Sequence, residues 1–161
     1  MAQATKKKKI ILICSDGGHL AQILELKELF TQYDYLLISE KTEATYELRD
    51  KYNIRFLKGR PKGERGLSFW FSVVANMFLS LRLLLTHYPK VIITTGSHTA
   101  VPMCILGKIF FVKVVWILSF ARISTKAKSA SLIYPIADKF IVQWETAQKL
   151  YPKSIYLGGI Y

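Results

Sequence analysis

The sequence predicts an α/β fold in which helices cover both faces of a doubly wound parallel β-sheet. Short runs rich in Val and Ile alternate with longer segments of helical periodicity along the 161 residues. The runs at 91–95 and 113–118 are apolar almost throughout, which is typical of strands that are buried on both faces. No internal repeat or low-complexity linker interrupts the pattern, and the length suits one domain spanning residues 1–161.

Six strands and six helices alternate in this prediction. The strands are Ile10–Ser15, Tyr35–Ser39, Ile54–Leu57, Val91–Thr95, Lys113–Leu118 and Lys139–Val142. The helices are Leu20–Thr31, Glu43–Tyr52, Leu67–Thr86, Ala100–Phe110, Ser129–Ile136 and Glu145–Tyr151. Doubly wound sheets bind ligands beyond the carboxyl ends of their strands. The loops there contain SDGGH, SEK, LKGRPKGERG, TTGSHT and SFARISTKAKS, whose glycines and basic residues suit a ligand that carries phosphate.

The first strand leads into a turn that predicts an anion site. Gly17 and Gly18 permit positive φ angles and close approach of a ligand to the backbone. The helix that follows presents unpaired N–H groups and the positive end of its dipole. His19 stands at the start of that helix, where a histidine suits a general base that takes a proton from a hydroxyl. An ordinary tight turn with a surface histidine is the alternative.

The longest predicted helix spans residues 67–86 and is strongly one-sided. Its polar residues fall within an arc of about 160° on a helical wheel, and the rest of the wheel is apolar, with Trp70, Phe71 and Phe78 on it. Three interpretations remain open: a crossover helix buried on the sheet, a helix lying in a membrane interface, and a transmembrane span.

A basic segment precedes this helix and includes Arg60, Lys62 and Arg65. Adjacent basic and aromatic segments favour contact with anionic lipid, although a run of charge is also common in a solvated loop. These three cations, together with Trp70 and Phe71, are the predicted membrane-contact residues, and Phe78 extends the set.

The fourth strand ends in a second glycine turn, TTGSHTAVP. Gly96, Ser97 and His98 stand between the strand and the next helix, and Ser97 or Thr99 is expected to cap that helix. A plain helix cap without a ligand explains this turn as well. The dinucleotide fingerprint G-x-G-x-x-G, the phosphate-binding loop G-x-x-x-x-G-K-[ST] and the nucleophile elbow G-x-S-x-G are all absent from the sequence.

Composition excludes several classes of function. Lys and Arg number 23 against 11 Asp and Glu, so the net charge is +12 and the partner is expected to be anionic. The basic residues are not interleaved with aromatic residues in the manner of a nucleic-acid platform, so no nucleic acid is expected. Cys14 and Cys104 lie in apolar segments and are expected to be reduced core residues. No Cys or His spacing indicates a metal site, and no cofactor is expected.

Four segments together resemble one family: SDGGHLAQ, TTGSHTAVP, SFARISTKAKSASLIYPIADKFIVQWE and YPKSIYLGGIY. They are similar to the PssD/CpsF-type capsule and exopolysaccharide proteins, which are related to the membrane-anchoring subunit of the split dolichyl-diphosphate N-acetylglucosaminyltransferase. The resemblance covers residues 10–161. It implies a Rossmann-like sheet that forms the single N-terminal, acceptor-side half of a MurG-type glycosyltransferase-B fold, with the nucleotide-sugar half on a separate polypeptide.

The resemblance also implies roles for individual residues. The catalytic base is expected to be His19. The residues expected to bind the acceptor or its diphosphate are Gly17, Gly18, Gly96, Ser97, His98 and Arg122. The residues expected to contact the partner are Tyr156, Leu157, Ile160 and Tyr161. Two features depart from the family pattern: Leu118 stands where Glu is common, and Asp16 places a negative charge beside the diphosphate site, where it caps the helix or orients His19.

The expected function is that of a subunit of a two-polypeptide glycosyltransferase at the cytoplasmic face of the bacterial cell membrane. The chain is expected to bind a polyprenyl-diphosphate-linked saccharide peripherally, while a nucleotide-sugar-binding subunit supplies a UDP-hexose for capsular or exopolysaccharide synthesis. Helix ends and basic side chains can neutralise the donor diphosphate, so no metal is expected. The alternative is a non-catalytic membrane anchor or enhancer of the partner.

Overall fold

The structure, a computed structural model, describes residues 7–59 and 67–161, with the backbone alone at 67–70. Seven parallel strands form one sheet in the order β3-β2-β1-β4-β5-β6-β7. The strands are β1 Lys9–Ile13, β2 Asp34–Glu40, β3 Ile54–Leu57, β4 Val91–Thr94, β5 Lys113–Ile117, β6 Lys139–Val142 and β7 Ile155–Tyr156. The helices are α1 Gly18–Glu25, α2 Lys27–Gln32, α3 Glu43–Glu47, α4 Leu67–His87, α5 Ala100–Ile109, α6 Lys128–Ile133 and α7 Glu145–Gln148, and a 3₁₀ turn covers Leu48–Asp50.

The sheet is doubly wound because the chain reverses its direction of travel across the sheet at β1. Ile11 pairs with Leu36 of β2 on one side and with Ile92 of β4 on the other. Alternate residues of β1 enter two separate cores, as the period of a strand requires: Ile11 and Ile13 join the core under α4, α5 and α6, and the residues between them join the core under α1. The predicted fold class, a Rossmann-like doubly wound parallel sheet, is confirmed.

Most predicted elements shift by a few residues at their ends, while two predicted helices are broken or tightened and one short strand is additional. The helix expected at 20–31 breaks at Leu26, whose N–H donates to the carbonyl of Ile23 while its own carbonyl accepts from Leu29. The helix expected at 43–52 is a short α-helix that tightens into the 3₁₀ turn. Strand β7 was not predicted, because two residues are too short to show a periodic pattern.

Helix α4 crosses from β3 to β4 with one part of its apolar arc on the core and another part exposed: Leu84 is buried, and Leu79 and Leu83 pack against the same core. Asn76 pairs with the backbone of Lys58 through two hydrogen bonds of 2.8 Å, and Ser80 is fully buried. Phe71 and Phe78 are 74% and 65% exposed. The crossover interpretation, in which the apolar arc packs on the sheet, therefore holds for the part of the arc with Leu79, Leu83 and Leu84 but not for the part with Phe71 and Phe78. Asn76 faces the backbone of Lys58, while Phe71 and Phe78 lie on the exposed side of the helix.

The exposed apolar surface continues from α4 onto the end of α5. Tyr88 directly follows α4, and Phe111 lies two residues after the end of α5. Their φ angles are 57° and 58°, and they are 72% and 95% exposed. A left-handed backbone costs a residue other than glycine roughly 1–2 kcal/mol. Both residues border a groove of about 270 Å³ that Leu85 and Lys90 also line. We refer to the exposed side of α4 together with Tyr88 and Phe111 as the apolar belt.

No helix within residues 7–59 and 67–161 has both the length and the apolar composition that a membrane span requires. Of the three interpretations of α4, the crossover helix and the interfacial helix remain. The predicted membrane-contact residues Arg60, Lys62 and Arg65 lie outside the described residues, as does the side chain of Trp70.

Two adjacent leucines of α4 test the observed orientation of this helix. Leu84 is 2% exposed and Leu85 is 49% exposed. We expect Leu84→Ala to lower the free energy of unfolding by about 2–4 kcal/mol, because it leaves a cavity in the core, and Leu85→Ala to lower it by less than about 1 kcal/mol. Chemical denaturation followed by circular dichroism measures both values. Equal losses in the two variants would contradict the described orientation.

Candidate functional site

A cavity of about 390 Å³ opens at the carboxyl ends of β1, β4 and β5. It lies where the strand order reverses, which is the position at which doubly wound sheets bind ligands. Both predicted turns and the loop after β5 contribute to its wall. The lining includes Ser15, His19, Thr95, Gly96, Ser97, His98, Trp116, Ser119 and Arg122. The structure thus brings together residues that the sequence places on three separate loops, while Gly17 and Gly18 are exposed on the first turn.

A pair of hydrogen bonds joins His19 at the start of α1 to Thr95 at the end of β4. The Nδ1 atom of His19 lies 2.8 Å from the carbonyl oxygen of Thr95, and the Thr95 hydroxyl donates to the carbonyl oxygen of His19 at 2.8 Å. Because a carbonyl oxygen can only accept, Nδ1 carries the proton in this arrangement. In the neutral ring, Nε2 then has a free lone pair that can accept a proton.

Burial lowers the pKa of His19, because removing the ring from water disfavours its charged form. The hydrogen bond to Thr95 opposes this effect, and the positive charge of Arg122 adds to it. Since the ordinary pKa of histidine is about 6.5, a lowered value leaves the ring neutral at pH 7. A neutral ring with a free Nε2 lone pair has the protonation state that a general base needs.

Gly96 makes room for the ring of His19. Its φ angle is +109°, and a Cβ atom at this position would lie 3.2 Å from Cε1 of His19 and 3.3 Å from Cζ2 of Trp116. Glycine is therefore required here both by the backbone conformation and by the two rings that pack against it. At Gly17 and Gly18 a Cβ atom would meet no atom within 4 Å, so the first turn is open above its backbone.

Two polar atoms in the wall of the cavity are buried and have no hydrogen-bond partner among the described residues. They are the indole N–H of Trp116, whose residue is 1% exposed, and the hydroxyl of Ser97. Ser97 also has a φ angle of 88°, which strains a residue other than glycine. Buried polar groups without partners are rare in native proteins, and strained backbone concentrates at functional sites. Both features favour a ligand-binding role for this wall.

Glu40 is a site residue that the sequence analysis missed. It ends β2, its side chain is 13% exposed, and its carboxylate accepts a hydrogen bond from the hydroxyl of Thr99. The same carboxylate lies 3.8 Å from Nε2 of His98. The expectation that Thr99 or Ser97 caps α5 is wrong, because Thr99 occupies the cap position but directs its hydroxyl to Glu40. The sequence signal that could have identified Glu40 is its position as an acidic residue at the carboxyl end of β2, the strand next to β1.

Asp16 does not fill either of the roles expected for it. One of its oxygens accepts from the N–H of Gly17 at 2.6 Å, and the other accepts from the hydroxyl of Thr42 at 2.7 Å. Helix α1 has no side-chain cap, and the described partner of the His19 ring is Thr95. Asp16 instead ties the first turn to the loop after β2. Among the described residues, no three His, Cys, Asp or Glu side chains are grouped as a metal site requires.

Cations border one side of the cavity. Arg122 is exposed on the loop after β5 and donates to the hydroxyl of Thr125 at 3.2 Å. Lys126 follows on the same loop, Lys128 begins α6, and both are exposed. Only Arg122 was singled out from the sequence. The two lysines add positive charge beside the cavity, which suits a ligand with more than one phosphate.

The four residues predicted to contact a partner fall into two groups. Tyr156 and Leu157 are 43% and 72% exposed. The N–H of Ile160 donates to Oε1 of Gln143 at 2.9 Å, and the ring of Tyr161 packs edge-on against Phe120 with centroids 5.3 Å apart. Ile160 and Tyr161 therefore contact residues beside the loop that carries Arg122, yet Tyr161 is still 65% exposed, so it is available to another chain together with Tyr156 and Leu157.

The apolar belt begins at the edge of the sheet that carries the cavity. Asn76 binds the backbone of Lys58, the first residue after β3. From Asn76 back to Leu67 the helix extends about 14 Å, at 1.5 Å per residue. Because a crossover helix runs roughly antiparallel to the strands, this part of α4 projects beyond their carboxyl ends. Phe71 lies on the projecting part, and it is the predicted membrane-contact residue with the largest described exposure.

The sequence matches a known family model along almost all of its length. The model, described as "Oligosaccharide biosynthesis protein Alg14 like", matches residues 10–160. The chain belongs to the Alg14 family. The Alg14 match includes both glycine turns, the basic loop after β5 and the tail, so the cavity is built from residues within the family match.

Several eukaryotic proteins named UDP-N-acetylglucosamine transferase subunit ALG14 are relatives of this Alg14 chain. The mouse protein is 30% identical over 94% of this chain and 82% of its own length. The human protein is 28% identical with the same coverage. The Candida albicans protein is 25% identical over 95% of this chain and 81% of its own length.

Solved structures confirm that the Alg14 chain has the fold of one half of a glycosyltransferase-B enzyme. Acinetobacter baumannii MurG superposes with a TM-score of 0.76 and 15% identity, over 94% of this chain. The UDP-N-acetylglucosamine 2-epimerase of Rickettsia bellii superposes with a TM-score of 0.71 and 14% identity, over 96% of this chain. The Alg14 chain spans 45% of the length of each of these two proteins.

Two glycines, Gly96 in the cavity wall and Gly18 on the open first turn, test whether a side chain is sterically excluded at Gly96. We expect Gly96→Ala to lower the free energy of unfolding by about 1–3 kcal/mol and to displace the His19 ring, because the added Cβ meets both neighbouring rings. Denaturant unfolding and the NMR resonances of the His19 ring are the measurements. Gly18→Ala is the control, since its Cβ meets nothing, and we expect it to leave stability unchanged or slightly raised. Unchanged His19 resonances in Gly96→Ala would refute the close contact.

Proposed function

We propose that this Alg14 chain is the acceptor-binding subunit of a two-polypeptide glycosyltransferase that works at a membrane surface. It holds a polyprenyl-diphosphate-linked saccharide, and a separate nucleotide-sugar-binding subunit supplies the UDP-sugar. The single observation that carries the proposal is His19, held by Thr95 with a free Nε2 in a cavity bordered by cations. The names of the relatives, which describe subunits of a UDP-N-acetylglucosamine transferase, support this class of reaction and donor.

The proposed chemistry needs one proton acceptor from this chain. Nε2 of His19 takes the proton of an acceptor hydroxyl as the oxygen attacks the anomeric carbon of the donor sugar. The new glycosidic bond forms while the bond between that carbon and the diphosphate breaks, and UDP leaves with the bonding electrons. The partner subunit holds the departing UDP. Burial of His19 favours this role, because it keeps the ring neutral before the reaction.

The acceptor diphosphate fits between the first turn and the basic loop. The open space above Gly17 and Gly18 admits phosphate oxygens to the N-terminal N–H groups of α1. Arg122, Lys126 and Lys128 supply the opposing positive charge. The second turn, Gly96, Ser97 and His98, then faces the saccharide, and the buried hydroxyl of Ser97 is available to bind it.

Peripheral membrane contact is proposed through the apolar belt. Phe71 and Phe78 expose more than half of their surface, and Tyr88 and Phe111 extend the belt. Exposed aromatic residues beside cations are typical of proteins that rest in the interface of an anionic bilayer. The basic segment with Arg60, Lys62 and Arg65 immediately precedes this helix in the sequence.

The alternative function is a non-catalytic anchor or enhancer of the partner glycosyltransferase. The exposed belt and the exposed pair Tyr156 and Leu157 favour it, because they provide a membrane surface and a partner surface without using the cavity. A role in capsular or exopolysaccharide synthesis at the cytoplasmic face of a bacterial membrane stays a narrower prediction. The relatives described above are eukaryotic and give it no support.

Replacement of His19 separates the two functions. We expect His19→Ala to lower sugar transfer to a lipid-diphosphate acceptor by at least about a hundredfold in membranes that contain both subunits, because the general base is lost. With both subunits unmodified, we expect kcat/KM to fall as the pH drops through the lowered pKa of His19, because the protonated ring cannot act as a base. This fall occurs below pH ~6.5, since the pKa is lowered from its ordinary value. Radiolabelled transfer assays across pH measure both effects. Full activity of His19→Ala with the partner would favour the enhancer.

Membrane contact is tested with vesicles. We expect the double substitution Phe71→Ser and Phe78→Ser to weaken partition onto vesicles containing phosphatidylglycerol by about tenfold or more, because two aromatic side chains no longer leave water. Tyr46→Ser is the matched control, since Tyr46 is 42% exposed on α3 of the opposite face. Sedimentation with vesicles measures partition. Equal loss in the control would contradict the assignment of the belt.

A further inference from the structure

Two buried glutamines connect the tail of the chain to the loop that carries Arg122. Gln22 on α1 and Gln143 after β6 are each 3% exposed. Nε2 of Gln143 donates to Oε1 of Gln22 at 2.7 Å, although the two residues are 121 positions apart in sequence. Neither residue was singled out by the sequence analysis, and the proposed chemistry does not use either of them.

The backbone groups around the glutamines fix which way each amide points. Oε1 of Gln22 accepts from the N–H of Phe120 at 3.0 Å, and its Nε2 donates to the carbonyl of Gly18 at 3.1 Å. Nε2 of Gln143 also donates to the carbonyl of Leu118 at 2.8 Å. Because backbone N–H groups only donate and carbonyls only accept, neither amide can flip without losing bonds. Buried polar networks that are satisfied in this way hold a single geometry.

The tail closes the network. The N–H of Ile160 donates to Oε1 of Gln143 at 2.9 Å, which leaves both polar atoms of that amide bonded. Aromatic packing holds the tail in place: the ring of Phe120 lies between Trp144, at a centroid distance of 4.7 Å, and Tyr161, at 5.3 Å. The indole N–H of Trp144 donates to the carbonyl of Phe120 at 2.6 Å.

The hydrogen bonds of the two glutamines reach two parts of the proposed acceptor site, the first turn and the loop that carries Arg122. Gly18 directly precedes His19 in the first turn, and Phe120 stands two residues before Arg122 on the basic loop. Ser119, whose hydroxyl lies 3.4 Å from Nε2 of Gln22, lines the cavity itself. A change at the tail therefore reaches both walls of the cavity through two side chains.

We propose that tail residues 159–161 are a structural part of the acceptor site, and that Gln22 and Gln143 are positioning residues that link the tail to the Phe120–Arg122 loop. While Ile160 is seated on Gln143, the loop holds Arg122 beside the cavity. When the tail leaves, Gln143 loses a partner, its bond to Gln22 weakens, and the loop loosens. The effect on ligand affinity rests on the proposed function, whereas the effect on the loop does not.

Variants at Ile160 test the link without threatening the core, because the residue lies in the tail. Ile160→Pro removes the N–H that Gln143 accepts, and Ile160→Ala shortens the side chain but keeps that N–H. The readout is hydrogen exchange at the amide of Phe120, measured by NMR on the full chain. The amide of Leu118, which donates to Ile141 in the sheet at 2.7 Å, is the internal reference.

We expect Phe120 to exchange roughly three- to tenfold faster in Ile160→Pro than in the unmodified chain, with Leu118 unchanged and Ile160→Ala close to the unmodified chain. Gln143→Leu should produce an equal or larger effect. Unchanged exchange at Phe120 in Ile160→Pro, or equal acceleration by Ile160→Ala, would overturn the proposal.

Titration with pyrophosphate separates this inference from the proposed function. We expect Ile160→Pro to weaken pyrophosphate binding severalfold and Ile160→Ala to leave it unchanged, because Arg122 is held less firmly. Faster Phe120 exchange together with unaltered pyrophosphate affinity would overturn the claim that the tail belongs to the acceptor site. If the unmodified chain does not bind pyrophosphate at all, the proposed function fails, and the exchange result still decides whether the tail positions the loop.

Discussion

The paired hydrogen bonds between His19 and Thr95 are the contact on which the candidate site depends. They join the first turn of α1 to the end of β4, across the point where the strand order reverses. A doubly wound sheet leaves a crevice at that point. Here two hydrogen bonds cross it: the His19 ring bonds to the backbone of Thr95, and the Thr95 side chain bonds to the backbone of His19. The protonation pattern of the ring, the need for Gly96 and the shape of the cavity wall all follow from this one contact.

The same edge of the sheet also carries the beginning of the apolar belt. Asn76 of α4 binds the backbone of Lys58 and Leu84 packs in the core, while Phe71 and Phe78 lie on the exposed side of the same helix. A soluble helix normally directs its apolar arc to the core. The part of the arc that stays exposed is the proposed membrane contact, and it begins at the edge of the sheet where the cavity opens.

Local patterns were sufficient to predict most of the fold. Continuous apolar runs revealed the buried strands, and the two glycine turns marked the carboxyl ends of β1 and β4. The rotation of α4 was not predictable from its own sequence, because the two hydrogen bonds of Asn76 are made with the backbone of Lys58, 18 residues away. Glu40 and Thr99 are 59 residues apart, and Gln22 and Gln143 are 121 apart, so no sequence window contains either pair. Contacts of this kind arise from topology, which brings loops together at one edge whatever their separation along the chain.

Under the proposed function, the projection of α4 beyond the sheet has a consequence for how a lipid-linked substrate is reached. Drawing a polyprenyl chain out of a bilayer costs about 0.8 kcal/mol for each methylene group that enters water, a total that no binding site of this size recovers. In the proposed arrangement, a helix end that enters the interface beside the cavity brings the site down to the diphosphate, so that the hydrocarbon stays in place. The search for substrate then takes place by lateral diffusion in two dimensions, and the surface density of lipid, rather than its concentration in solution, governs how often the cavity is filled.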